Sequence, residues 1–216
     1  DASVVGRIAR DTLPRVKQLV VKHPTKTGDD LERALYLVRK QVETEEQARV
    51  GDPFPEVWDE GFAFYICSFT NKTIIYKGML NSNSLGPFFL DLQNAAYQTA
   101  YCIYHRRFST NTNPKWPLAQ PMRMIGHNGE INTLQGNLNW VFSRERSLTH
   151  PVWEGRESEF GTLCNGKVSD SANLDRVIEL MVRSGYPLEK AMMILVPEAY
   201  RNHPDLVEKY PDIEPF

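Results

Sequence analysis

Between His105 and Trp140 the chain carries an arginine, hydroxyls, amides and a His-Asn-Gly turn, set between an apolar run and a helix-like run. Arg107 leads into Ser109, Thr110 and Asn111. A guanidinium fork grips a carboxylate through two parallel hydrogen bonds, and nearby hydroxyls and amides can satisfy the remaining lone pairs. Read from spacing alone, the same arginine is better explained as one half of a surface ion pair. In His127-Asn128-Gly129, an asparagine amide and a glycine N–H directed at one point make an oxyanion hole. Asn-Gly is also an ordinary turn dipeptide. Asp170, inside Ser169-Asp170-Ser171, suits an ammonium group, or helps cap the helix that follows. These groups fit a small zwitterionic substrate, but no serine or cysteine stands beside them as an obvious nucleophile.

Other chemistries find less support. The five histidines are scattered at 23, 105, 127, 150 and 203, without metal-ligand spacing. Cys67, Cys102 and Cys164 form no C-x-x-C pair, and their odd number argues against a disulfide framework. There is no phosphate loop and no dinucleotide fingerprint. Twenty-five basic residues against 27 acidic ones leave a formal charge of −2, which gives no case for nucleic acid or an anionic membrane as partner. No apolar run reaches the length of a membrane span, so a soluble intracellular protein is expected. The chain opens on Asp1 rather than Met, as a fragment or processed product would.

The elements that must position these groups follow from periodicity. Val4 to Asp11 predicts a short helix stopped before Pro14, and Val16 to Val21 a strand. Leu31, Ala34, Leu35, Val38 and Val42 mark an amphipathic helix. Asp29 and Glu32 stand in a capping-box pattern at its start, and Glu43 to Arg49 at its solvated end. Phe62 to Phe69 and Thr73 to Leu80 predict a hairpin around Asn71-Lys72. Ser82 to Ala96 reads as loop and short helix. Ala100 to Phe108 and Met122 to His127 read as further strands. Ile131 to Phe142 predicts a helix whose Gly136 costs about 1 kcal/mol against alanine, which suggests a close backbone approach. An irregular stretch from Thr149 to Lys167 precedes a helix from about Ser169, with Leu174, Val177, Ile178, Met181 and Val182 on one face and Gly185 as its stop. Pro187 opens one more short helix. Hairpins mixed with helices, without regular β-α alternation, imply an α+β fold.

Three pieces taken together go further. Arg107-Phe108-Ser109-Thr110-Asn111-Thr112, then Gly126-His127-Asn128-Gly129-Glu130-Ile131-Asn132-Thr133, then Ser169-Asp170-Ser171-Ala172 closely resemble the glutaminase domain of the large-chain glutamate synthases. That domain is a class II glutamine amidotransferase and an N-terminal-nucleophile hydrolase. The resemblance extends through Tyr76-Lys77-Gly78-Met79 and Val196-Pro197-Glu198-Ala199, and the link from Pro114 to Pro121 looks more like the ferredoxin-dependent branch than the pyridine-nucleotide one. It implies a four-layer αββα sandwich, incomplete here, with residues 1–216 forming the later portion of a single amidotransferase domain. It also implies that Arg107, Thr110 and Asn111 hold the glutamine α-carboxylate, and that Asp170 and the Gly129 backbone hold the α-ammonium. Asn128 and the Gly129 N–H would form the oxyanion hole.

The family nucleophile is a cysteine at the mature amino terminus, and no cysteine here sits at the matching place. The chain is therefore expected to be inactive alone. In the full enzyme the resemblance implies FMN, an iron–sulfur cluster, and electrons from ferredoxin or NAD(P)H for reductive amination of 2-oxoglutarate. The expected setting is the cytoplasm or plastid stroma. A non-catalytic glutamine-binding module and a different class II amidotransferase stand as alternatives.

Overall fold

The computed structural model describes residues 1–50, 64–108, 114–131, 134–166, 168–197 and 203–211. Among them the regular structure is helical. The longer helices are α1 (Arg7–Asp11), α2 (Gly28–Val50), α3 (Ser82–Phe88), α4 (Leu134–Glu145), α5 (Asp170–Arg183), α6 (Leu188–Leu195) and α7 (Pro204–Lys209). Short 3-10 turns at Ala2–Val4, Leu90–Gln93, Trp116–Leu118, Pro151–Trp153 and Glu157–Phe160 join them.

The helix boundaries follow the caps written in the sequence. The Ser169 side chain accepts from the Ala172 N–H at the start of α5. At its end Gly185 takes a φ of +97°, and the Tyr186 N–H returns to the Met181 carbonyl. Pro187 precedes α6 as expected. The start of α2 differs from expectation. Asp29 and Asp30 lie inside its first turn. The Glu32 carboxylate is buried and accepts from the Thr70 hydroxyl and the Asn71 N–H. Val38, expected in the core, is exposed, whereas Tyr36 and Leu37 are buried. Among the described residues nothing lies within 4 Å of a Cβ at Gly136, so none of them supplies the close approach expected there.

The α+β expectation, with its four-layer αββα sandwich, is overturned: no strand and no sheet occurs among the described residues. The segments expected to pair do not. Leu19 and Val20 are 81% and 96% exposed, and Ile103 and Tyr104 are 67% and 76% exposed. β-branched and aromatic content gives a segment the capacity to pair, but a strand exists only where a partner meets its N–H and C=O groups. At Met122 to His127 most of those donors are taken by side chains, and the Met122 N–H donates to the Ile125 carbonyl at 2.8 Å. Asp175 accepts from the Arg123, Met124 and Ile125 N–H groups at 3.2, 2.7 and 3.0 Å, and Gln120 accepts from His127 at 2.8 Å. The expected hairpin survives only as a bend at Asn71-Lys72, with the Ile75 N–H donating to the Ser68 hydroxyl. Its first residues, 62 and 63, lie outside the described residues.

Two apolar cores result among the described residues. The larger joins Tyr36 and Leu37 of α2, Leu138 of α4, Leu180 of α5 and the aromatic pair Trp153 and Phe160. Trp153 and Phe160 meet edge to face, with ring centroids 4.9 Å apart. The smaller gathers Val5, Ala9 and Trp116, and the Trp116 indole N–H donates to the Ala9 carbonyl. Gly78 lies against this indole, and any Cβ there would run into the ring.

Buried charge links α2, α5 and the 120s segment. Arg39 and Arg123 both bind the Glu179 carboxylate, at 2.7 and 2.9 Å, and Arg39 also binds Glu43 at 2.6 Å. Burial alone would push both carboxyls up, but Arg39 and Arg123 outweigh it, holding Glu43 down at about 2 and Glu179 below its ordinary range. A carboxyl whose folded pKa is depressed contributes stability that is present above its unfolded value and lost as pH falls through the folded one. Stability should therefore decline as pH drops from about 5 toward 2, with Glu43 contributing on the order of 1–3 kcal/mol of that decline. Urea titrations across this range check it: Glu43→Gln should flatten the acid limb, and an unchanged slope would remove Glu43 from the account.

Candidate functional site

Helix α5 carries two stripes. The apolar one was legible in the sequence. The other is polar: Ser171, Asp175, Glu179 and Arg183 recur every four residues and so share one face. All four are buried. Each holds a different partner: Ser171 meets His127, Asp175 the amides of residues 123–125, Glu179 the guanidiniums of Arg39 and Arg123, and Arg183 the Glu32 carboxylate.

At the N-terminal end of this stripe the three sequence pieces come together. The Arg107 N–H donates to His105 Nδ1 at 3.1 Å, so the neutral His105 ring carries its proton on Nε2. That Nε2–H lies 2.9 Å from the His127 carbonyl. The Gly129 N–H donates to His127 Nδ1 at 3.0 Å, which places the second ring's proton on Nε2 as well. His127 Nε2 meets the Ser171 Oγ at 2.8 Å, and Ser171 in turn donates to Asp170 Oδ1 at 3.1 Å. One chain of hydrogen bonds thus runs from residue 107 through 105, 127 and 171 to 170.

The individual candidates are placed as follows. Arg107 is exposed, and its backbone, not its guanidinium, enters the chain. Asn128 is exposed beside it at the turn. The Gly129 N–H is engaged with the ring of its own turn. Asp170 is half-buried at the first turn of α5, where the positive end of the helix dipole favours its charge. Thr110 and Asn111 lie outside the described residues. His105, His127, Ser171 and Gln120 were not singled out for these roles. The four-residue recurrence of Ser171, Asp175, Glu179 and Arg183 was the available signal, since charged groups at that spacing share a helix face.

Cys67 and Cys164 are ill suited to attack. Burial pushes the Cys164 thiol up to about 11 and raises Cys67 as well, the opposite of the activation a nucleophile needs. Cys102 is exposed. Among the described residues no helix is long and apolar enough to cross a membrane.

A model of the class II glutamine amidotransferases matches residues 1–215, and the chain belongs to that family. It is 54% identical to ferredoxin-dependent glutamate synthase 1, chloroplastic/mitochondrial, of Arabidopsis thaliana over 214 residues, covering 99% of this chain and 13% of that protein. It is also 54% identical to the chloroplastic ferredoxin-dependent glutamate synthase of Spinacia oleracea over 217 residues, covering 100% of this chain and 13% of the relative. Ferredoxin-dependent glutamate synthase 2 of a Synechocystis species is 47% identical over 218 residues, covering 100% of this chain and again 13% of the relative. The chain thus spans about 13% of the length of the relatives it matches.

The hydrogen-bonded chain makes a structural prediction. Ser171→Ala leaves the half-buried His127 Nε2–H without its acceptor, which should cost about 1 kcal/mol in urea denaturation. Nitrogen NMR of the ring should show the Nε2–H tautomer in the wild type and a mixture in the variant. The same single tautomer in both would take Ser171 out of the chain.

Proposed function

We propose that this chain is the later portion of the glutaminase domain of a ferredoxin-dependent glutamate synthase. In the whole enzyme, glutamine is hydrolysed to glutamate, and the released ammonia reductively aminates 2-oxoglutarate at a distant site. The observation that carries this reading is the hydrogen-bonded chain joining residues 105–107, 127–129 and 170–171, because those are the pieces the substrate would have to span. The relatives named for this activity, similar along nearly all of this chain, support it further.

In this reading Arg107, with Thr110 and Asn111, grips the α-carboxylate, and Asp170 takes the α-ammonium together with the Gly129 backbone. A cysteine thiolate outside this chain attacks the side-chain amide carbon, and the carbonyl electron pair moves onto oxygen. Asn128 and the Gly129 N–H receive that oxyanion. Collapse of the tetrahedral intermediate, with the proton given up by the thiol to the nucleophile's own α-amino group passed on to the amide nitrogen, expels ammonia, and water then hydrolyses the thioester to glutamate. The Gly129 N–H must exchange its bond to His127 for one to the oxyanion. A hydrogen bond to a charged acceptor is roughly twice as strong as a neutral one, so the exchange favours the transition state.

This chain supplies binding and oxyanion stabilisation, and alone it is inactive. FMN and the iron–sulfur cluster belong to the rest of the enzyme. Electrons come from ferredoxin, and the chloroplastic relatives favour the plastid stroma as the setting.

Two substitutions in the full-length enzyme test the assignments. Arg107→Lys should raise the glutamine KM about tenfold or more, since a point charge cannot reproduce the fork. An unchanged KM removes Arg107 from the site. Asn128→Ala should lower glutaminase kcat roughly 10²–10³-fold. A kcat within a factor of about two of wild type would show that the oxyanion finds its donors elsewhere.

A further inference from the structure

One member of the α5 polar stripe holds backbone where its neighbours hold side chains. Ser171 reaches the 120s segment through the His127 ring, and Glu179 reaches it through the Arg123 guanidinium. Both links end on rotatable side chains, so each tolerates some sliding of the chain behind it. Asp175 instead accepts from three consecutive main-chain N–H groups. Its Oδ2 takes Arg123 at 3.2 Å, and its Oδ1 takes Met124 and Ile125 at 2.7 and 3.0 Å. The residue is 2% exposed, so water competes little for these bonds. A short, planar carboxylate met by three amides pins the backbone at one station along the helix.

What that station controls follows from the order of the chain. The Met122 N–H closes the segment on the Ile125 carbonyl at 2.8 Å, and the His127 N–H closes on Gln120 at 2.8 Å. The pinned turn therefore leads within two residues into His127-Asn128-Gly129. On α5 itself, Asp170 stands five residues before Asp175, about 7.5 Å along the axis of one rigid helix. In the glutaminase reading, on which this inference rests, Asp170 takes the α-ammonium, and Asn128 and the Gly129 N–H take the amide oxygen. These are opposite ends of the substrate. Their separation is set by where the 120s backbone is fastened to α5.

We propose that Asp175 is a positioning residue that sets the length of the amino-acid amide the site accepts, glutamine over asparagine. It acts through the segment it holds. One methylene moves the reacting amide by about 1.3 Å, and a misplacement of about 1 Å can cost 10²-fold in rate. A fixed distance between the ammonium anchor and the oxyanion donors therefore discriminates by chain length, and a loosened one does not.

The test measures ammonia release from free glutamine and from free asparagine by the full-length enzyme, in wild type, Asp175→Asn and Asp175→Glu. The first variant replaces one acceptor oxygen by an amide nitrogen, so it cannot hold all three N–H groups. The second keeps the carboxylate on a longer stem and moves the pin. In either variant kcat/KM for glutamine should fall about tenfold or more, and the glutamine-to-asparagine ratio of kcat/KM about fivefold or more. A role in stability alone would lower the amount of active enzyme, and so both substrates equally. A ratio within about twofold of wild type in a folded variant therefore overturns the proposal. If Asp175→Asn does not fold, Asp175→Glu decides by the same two outcomes. Asn128→Ala, run beside them, separates the two levels. If it loses turnover as expected while the Asp175 ratio stays unchanged, only the positioning role falls. If it retains wild-type turnover, the oxyanion assignment fails and takes the role of Asp175 with it.

Discussion

The described structure depends on the buried polar face of one helix. Ser171, Asp175, Glu179 and Arg183 point the same way from α5, and each meets a group from a different part of the chain. A backbone segment without a ladder must still satisfy its N–H groups, and the 120s segment does so largely on these side chains. Burial raises the pKa of Asp175, as desolvation of a carboxylate should, yet the three amides aimed at it favour its charged form. The carboxylate thus does for residues 123–125 what a neighbouring strand would do in a sheet. It also fixes where the chain must turn toward His127, Asn128 and Gly129.

Such an arrangement specifies more than it stabilises. Taking Arg39, Arg123, Glu179 and Glu32 out of water costs several kcal/mol per ion, and their mutual attraction roughly repays it. Removing one member would leave a partner buried and unpaired, at about 3–5 kcal/mol. An apolar interface of equal volume could hold α2 against α5 just as well. It could not decide which residue of the irregular segment faces which turn of the helix. Lys40 illustrates the expense: burial pulls its ammonium down to about 8, and its nearest bonded partner is the Thr162 carbonyl at 2.8 Å.

The sequence made the helices legible because their signals are local. Ser169 before α5, Gly185 after it and Pro187 before α6 act within a turn of where they stand. The apolar stripe of α5 was legible for the same reason. Its polar stripe was not, because charged residues at four-residue spacing read equally as a solvated face, and only the presence of α2 and the 120s segment makes them interior. Glu32 shows the same failure in reverse: a local capping pattern lost to a long-range demand from Thr70, Asn71 and Arg183. The strands failed because pairing is non-local by nature. Val16 to Val21 and Ala100 to Phe108 have the composition of strands, but composition does not provide a neighbour. Of the candidate site, Arg107, Asn128, Gly129 and Asp170 were singled out by residue type and given roles by a resemblance, whereas His105, His127 and Ser171, which join those pieces, required coordinates.

The choice of groups at the joining points follows from what each can accept and donate. A neutral imidazole offers one acceptor and one donor on opposite sides of a rigid ring. His127 uses the acceptor to hold the Gly129 N–H within its turn and the donor to reach Ser171 on α5. Lysine or arginine could not hold the amide, since neither has an acceptor, and a carboxylate could not reach Ser171 as a donor. Serine then relays the link to Asp170, because a hydroxyl both accepts and donates. The turn is therefore tethered to the helix through groups that fix its orientation while leaving one amide exchangeable. An amide held by a neutral ring nitrogen is released to a fully charged oxygen at little net cost, and a turn tethered this way can hold an amide ready for an oxyanion before that charge forms.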